Sequence, residues 1–198
     1  MGKRSFDIVV SALVLLVAWP LLAAVAVLVW TSSGLPIFFG QQRAGMGFRL
    51  FRIWKFRSMR TEESGRLITV EGDARITCVG AVLRASKLDE LPQFWNVLVG
   101  QMSLVGPRPE VPRYVELYRE QYARVLTVRP GITDLASIVY RHEDKLLSNA
   151  PDPERYYREV VLPDKLKLAL RYLDTRSLAL DVRILFHTLL AMLRPQIH

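Results

Sequence analysis

From Ile8 to Trp30 the chain runs 23 residues without a charge, with Ser11 its only hydroxyl and Pro20 near its middle. At about 1.5 Å per residue a helix of this length reaches roughly 35 Å, enough to span a hydrocarbon core. A cleaved signal peptide is one alternative, because Lys3 and Arg4 precede the run and Ala24-Val25-Ala26 resembles a cleavage site. The apolar run continues past that site through Val27-Leu28-Val29-Trp30, and nothing downstream looks secreted. The segment therefore reads as a retained membrane element.

Pro20 and the flanking charges decide how it sits. Proline removes a backbone hydrogen bond and costs on the order of 3 kcal/mol inside a water-exposed helix. In lipid the carbonyl freed near Leu16 has no water to turn to. Lys3 and Arg4 flank one end; Arg43, Arg49, Arg52, Lys55, Arg57 and Arg60 follow the other, with no acid between Asp7 and Glu62. A spanning helix would carry one basic flank outside, against the positive-inside tendency. A helix that breaks at Pro20 and returns keeps both flanks on the cytoplasmic side. The sequence thus predicts a re-entrant helix-break-helix over residues 1–35, with a kinked single span as the alternative.

Net charge is +8, yet 51% of residues are hydrophobic. Nucleic-acid binders tend to be basic and polar; this chain is basic and apolar, which favours an anionic membrane surface or phosphorylated substrates. The single cysteine, Cys78, fits a reducing compartment and reads as a small buried apolar residue. His142, His187 and His198 are scattered without metal-ligand spacing, so zinc is not expected.

Beyond the anchor the pattern predicts an α+β, predominantly helical domain over 36–198. Ile37–Phe39 and Phe48–Ile53 read as strands of a small hairpin, and Arg60–Arg75 as an exposed loop. Helices are expected at Val79–Ala85, Leu91–Val99, Val115–Leu126, Glu154–Val161, Leu166–Leu173 and Leu178–Leu193. Pro107, Pro109 and Pro112 force an extended passage, and Pro130-Gly131 a turn. In the last helix Leu178, Val182, Leu185, Leu189 and Met192 share a face, expected to face the core.

Leu88-Asp89-Glu90-Leu91-Pro92-Gln93 places two adjacent carboxylates just after Arg84 and Lys87, with a proline suited to a helix's first turn. Free N–H groups and the dipole there are expected to lower the carboxylate pKa. An ionised aspartate can attack phosphorus without a separate base, and paired carboxylates suit Mg²⁺. Two bare caps of a helix would look the same locally. Gly106-Pro107-Arg108-Pro109 holds an arginine between two prolines, on backbone stiff enough to fix a guanidinium for bidentate phosphate binding. Arg129-Pro130-Gly131 repeats the device, and Lys55 lies among aromatics in Trp54-Lys55-Phe56-Arg57.

These residues carry a resemblance. Lys3-Arg4-Ser5-Phe6-Asp7, Lys55-Phe56-Arg57-Ser58-Met59, Leu88 to Gln93, Met102 to Pro109 and Arg129-Pro130-Gly131-Ile132-Thr133, in that order, resemble the monotopic phosphoglycosyl transferases, bacterial enzymes that start membrane-bound glycan assembly. The resemblance implies transfer of a phosphosugar from a UDP-sugar to polyprenyl phosphate with release of UMP. Asp89 would be the nucleophile of a covalent intermediate, Glu90 its metal- or acceptor-positioning neighbour, and Mg²⁺ the cofactor held by the pair. Lys55, Arg84 and Arg108 would contact phosphate or substrate, and Arg129 the nucleotide side. Implied partners are the UDP-sugar, polyprenyl phosphate and membrane lipids, with a homo-oligomer possible in principle and nucleic acid excluded. The implied location is the bacterial inner membrane, with the catalytic domain facing the cytoplasm.

Two positions depart from the pattern. Relatives often have Ser before the helix-breaking proline, where this chain has Trp19. They also often follow Pro-Gly-Ile-Thr with Gly and then Gln, where this chain has Asp134 and then Ala136-Ser137. The second departure keeps sugar identity from being carried over. A non-catalytic, basic, membrane-anchored adaptor is the competing reading.

Overall fold

A computed structural model describes residues 2–60 and 68–193 of the chain. The apolar segment forms one helix, α1 (Gly2–Ser33), which continues through Pro20. The expected break at Pro20 is not seen: residues 2–33 form one element. Proline's fixed φ is compatible with helix, so losing one hydrogen bond does not end it when the residues on either side are strong helix formers. Among the described residues α1 is the one helix long and apolar enough to cross a membrane. Both of its ends are docked. Asp7 accepts from the Ser103 hydroxyl (2.8 Å) and the Leu104 N–H (3.2 Å), and Lys3 reaches Asp181 (2.5 Å). At the other end Val25 and Val29 are buried with Phe56 and Leu83. Between them Leu16 and Val17 are 70% and 71% exposed, and Trp19 points outward at 63%.

Strands β1 (Phe38–Ala44) and β2 (Leu50–Phe56) form the expected antiparallel hairpin, with Phe38 opposite Phe56 and Ala44 opposite Leu50. Both strands run longer than predicted, and β2 reaches Lys55. Helix α2 (Cys78–Ala85) is capped by the Thr77 hydroxyl accepting from the Gly80 N–H. Cys78, at its first position, is exposed, not buried, because a helix start facing solvent offers it no core. Of the loop expected over Arg60–Arg75, residues 61–67 lie outside the described residues.

Helix α3 (Gln93–Leu98) is fixed on β2 by Asn96, which is fully buried, accepts from the Trp54 N–H (3.2 Å) and donates to the Arg52 carbonyl (2.8 Å). A parallel pair missed by the sequence reading follows: β3 (Ser103–Val105) beside β4 (Gly131–Thr133). Between them in the chain lie α4 (Pro112–Leu117) and α5 (Arg119–Val125), where one helix was expected. The β3–β4 contact requires glycine on both sides. A Cβ on Gly131 would stand 2.2 Å from the Gly106 nitrogen, and one on Gly106 2.6 Å from the Arg129 carbonyl oxygen. The predicted turn at Pro130-Gly131 is therefore the entry to a strand, and its glycine serves close approach.

Helices α6 (Leu135–Val139) and α7 (Glu143–Ser148) were also missed, being too short to show a period. Then come α8 (Pro153–Tyr156), a π turn (Tyr157–Val161), α9 (Leu162–Thr175) and α10 (Leu178–Leu193). The inward face of α10 is corrected. Asp181 and Ile184 are buried; of the predicted face Leu185 packs against the core, whereas Leu178, Val182 and Leu189 are exposed. Apolar residues surround this helix, so polar anchors choose its seam: the Tyr172 hydroxyl donates to Asp181 (2.7 Å) and Thr188 bonds Thr133 (2.8 Å). The side chain of Met192 lies outside the described residues.

Candidate active site

Asp89 and Glu90 occupy a 3₁₀ turn, Leu88–Glu90, between α2 and α3. Lys87, in the left-handed conformation at φ +59°, ends α2 and redirects the chain so that Asp89 points inward. Asp89 is 4% exposed, and its Oδ1 is buried without a hydrogen-bond partner. Burial pushes its carboxyl above the ordinary value of 3.8, opposed by the charges of Lys55, Arg84 and Lys87. This corrects the expectation that a helix dipole would lower it. The turn is 3₁₀, α3 has only six residues, and desolvation outweighs any dipole.

Glu90 behaves in the opposite way. Its Oε1 accepts from Lys55 Nζ (2.8 Å) and from Arg108 Nη2 (2.6 Å). Burial alone would push its carboxyl up; the Arg108 and Lys55 charges and the Arg108 hydrogen bond reverse this and hold it well below the ordinary value. Lys55, in turn, is pushed below its ordinary value by burial despite Glu90. Arg108 donates its backbone N–H to Asp134 Oδ2 (3.0 Å), and Asp134 also accepts from the Ser137 N–H (2.7 Å) as the cap of α6. Asp134, where the chain departs from the family pattern, fixes the backbone of the arginine that holds Glu90. A signal was available, since Asp just before a short apolar stretch is a favoured helix N-cap.

Of the other expected residues, Arg84 belongs to this site: its charge acts on Asp89, and its Nη1 lies 3.9 Å from Met59 Sδ. Arg129 does not join it. Its Nε donates to the Gly100 carbonyl (2.8 Å), and it lines a separate cavity of about 460 Å³ with Lys3, Arg4 and Asp181. A residue missed as functional is Gln93, fully buried with neither amide atom partnered. It is the first residue of α3, just after the acidic turn. An unsatisfied buried amide costs about 1–3 kcal/mol. Gln93→Leu is therefore expected to leave the melting temperature unchanged or higher, measured by thermal unfolding in detergent. A fall of several degrees would mean the amide is satisfied through water.

A buried carboxylate with an unpartnered oxygen, among the charges of Lys55, Arg84 and Lys87 and beside a second carboxylate held by Lys55 and Arg108, suits attack on an anionic centre. Asp89 fits a hard cation as ligand by that free oxygen; Glu90 is already engaged by two cations and would share its charge with them.

A family profile described as "Bacterial sugar transferase" matches residues 1–195. The chain is 40% identical over 192 residues to a UDP-glucose:undecaprenyl-phosphate glucose-1-phosphate transferase of Klebsiella pneumoniae, covering 94% of this chain and 39% of that protein. It is 39% identical over 196 residues to a UDP-N-acetylgalactosamine-undecaprenyl-phosphate N-acetylgalactosaminephosphotransferase of Aeromonas hydrophila, covering 96% of this chain and 43% of the relative. The chain thus spans about two fifths of the length of these relatives. Against the exopolysaccharide production protein PSS of Rhizobium leguminosarum bv. phaseoli it is 39% identical over 201 residues, covering 96% of this chain and 94% of that protein. With a profile match over almost every residue, and the acidic turn and its arginines inside it, the chain belongs to the bacterial sugar transferase family.

Proposed function

We propose that this protein transfers a phosphosugar from a UDP-sugar to polyprenyl phosphate and releases UMP. The observation that carries the reading is the unpartnered Asp89 oxygen beside a Glu90 clamped by Lys55 and Arg108. In the first step an Asp89 oxygen attacks the sugar-linked phosphorus. An aspartyl–phosphorus bond forms, the bond to the oxygen bridging the two phosphorus atoms breaks, and UMP leaves with that oxygen and its electron pair. In the second step a phosphate oxygen of the lipid attacks the same phosphorus, and Asp89 departs as a carboxylate. Lys55 and Arg84 offer positive charge to the diphosphate, and Arg108 fixes Glu90 so that the anionic pair keeps its geometry. Mg²⁺, held by Asp89 with Glu90 beside it, would supply neutralisation of the diphosphate charge.

We place α1 as a re-entrant element over residues 1–35 and the catalytic domain over 36–198 at the cytoplasmic face of the inner membrane. The contacts that Lys3 and Asp7 at one end of α1 and Val25 and Val29 at the other make with the same domain support this over a simple span. The test uses purified protein in nanodiscs with polyprenyl phosphate, Mg²⁺ and a panel of UDP-sugars, scored by UMP release. No release with any donor sinks the reading. The raised Asp89 pKa adds a pH signature. As pH falls the nucleophile is protonated earlier than a free aspartate, so the acid limb of kcat/KM for UMP release is expected above pH 3.8. A limb at or below that value would contradict burial as the dominant influence on Asp89.

A further inference from the structure

Where α1 ends there is a second cavity, of about 360 Å³, lined by Ser32, Ser33, Arg57, Met59 and Arg60. Among the described residues its lining holds two guanidinium groups, two hydroxyls and no carboxylate. Resting on the transferase reading above, we infer that this cavity seats the phosphate monoester of the acceptor lipid.

Three observations converge. The first is charge. Arg57 turns its Nη atoms to the carbonyls of Ser33, Gly34 and Leu35, which builds the wall, while its Nε stays buried without a partner. Arg60, also in the lining, is exposed. Paired guanidiniums favour a phosphate monoester, which approaches two negative charges, over the single charge of a phospholipid diester.

The second is the apolar approach. Val27, Leu28 and Trp30 on the last turns of α1 are exposed at 55%, 52% and 56%, and Leu35, Phe38 and Phe39 beside them are exposed as well. A lipid tail lying along these residues brings its phosphate to the cavity. The third is connection to the reacting carboxylate. Met59 lines the cavity and touches Arg84, whose charge acts on Asp89. An anion held by Arg57 and Arg60 is thus one side chain away from the cation that faces Asp89. Arg108 and Lys55 approach the acidic pair through Glu90 instead. A two-step transfer needs two anions to reach one phosphorus in turn, and these are two separate approaches.

The test is Arg60→Ala in the full chain, with Arg60→Lys as the conservative control, because Arg57 also holds the α1 terminus. Two quantities are read in nanodiscs of zwitterionic lipid: Kd for a fluorescent polyprenyl phosphate, and the burst of UMP released without acceptor. Arg60→Ala is expected to weaken Kd by about tenfold, the loss of roughly one charge-assisted contact. The burst should stay at the wild-type level, and Arg60→Lys should recover most of the affinity. Equal Kd for wild type and Arg60→Ala overturns the seat, as does a burst that falls in step with Kd. Repeating the titration in phosphatidylglycerol nanodiscs separates the two sources of lipid phosphate. If bulk anionic lipid erases the difference between wild type and variant, the cavity takes any lipid phosphate and the acceptor assignment fails. Because Kd is read without turnover, a wild-type protein lacking the burst would sink the donor chemistry alone.

Discussion

Asp89→Asn is expected to abolish UMP release while leaving the protein folded. An amide cannot form the aspartyl–phosphorus bond, and removing an enzyme nucleophile typically costs about 10⁴-fold or more in kcat. The stability side has the opposite sign to a usual core substitution. Asp89 is buried, and its carboxyl is held above the ordinary value, so the folded state binds a proton more readily than the unfolded chain does. At neutral pH the ionised group therefore opposes folding, and that opposition fades as pH falls through the folded pKa. Asparagine removes the buried charge, so the variant's melting temperature at pH 7 should equal or exceed that of the wild type. Intact-mass analysis after incubation with donor alone should show a phosphosugar adduct on the wild type and none on Asp89→Asn. A variant that turns over within tenfold of the wild type would exclude the covalent route.

Glu90→Gln should act mainly through the fold of the site. Glu90 is the shared anion between Lys55 and Arg108, and an amide leaves two cations facing each other around a neutral group. Removing one partner of a buried ionic group costs about 3–5 kcal/mol, and about 3 is the better figure here because the Arg108 side chain is 37% exposed. The pH dependence gives a sharper check. The folded Glu90 pKa lies well below the ordinary 4.5, so its stabilisation is fully present above that value and is lost as pH falls through the folded pKa. The stability gap between wild type and Glu90→Gln, followed by denaturant melts, should be widest near neutrality and close at the acid end. A gap that stays constant with pH would mean Glu90's charge is not what holds Lys55 and Arg108.

The parts of the site legible in the sequence were those fixed by local backbone. Arg108 between two prolines and Asp89-Glu90 beside Pro92 could be read because proline geometry and turn chemistry are short-range. The same holds for the β1–β2 hairpin and for α2. Burial was not legible. Nothing in Leu88-Asp89-Glu90 says that Asp89 turns inward and Glu90 meets two cations, because that choice is made by a left-handed Lys87 and by β2 lying alongside. The β3–β4 pair escaped because three-residue strands show no alternation and their pairing joins segments separated by two helices. The course of Arg129 was not legible for the same reason. A cation next to Pro-Gly looks like Arg108 locally, yet β4 carries it toward Gly100 instead.

The anchoring of α1 has a geometric meaning for the chemistry. Asp7 is tied to β3, and Val25 and Val29 to β2 and α2, so both contacts belong to the same scaffold that carries Asp89. On the proposed placement at the membrane the helix would act as a depth gauge: the number of residues between its two fixed points would set how far the Asp89 turn stands from the bilayer midplane. Each residue added between them would rotate one anchor about 100° relative to the other. Working depth would then be a property of helix length, and a lipid acceptor would meet the carboxylate at a height the chain itself has measured out.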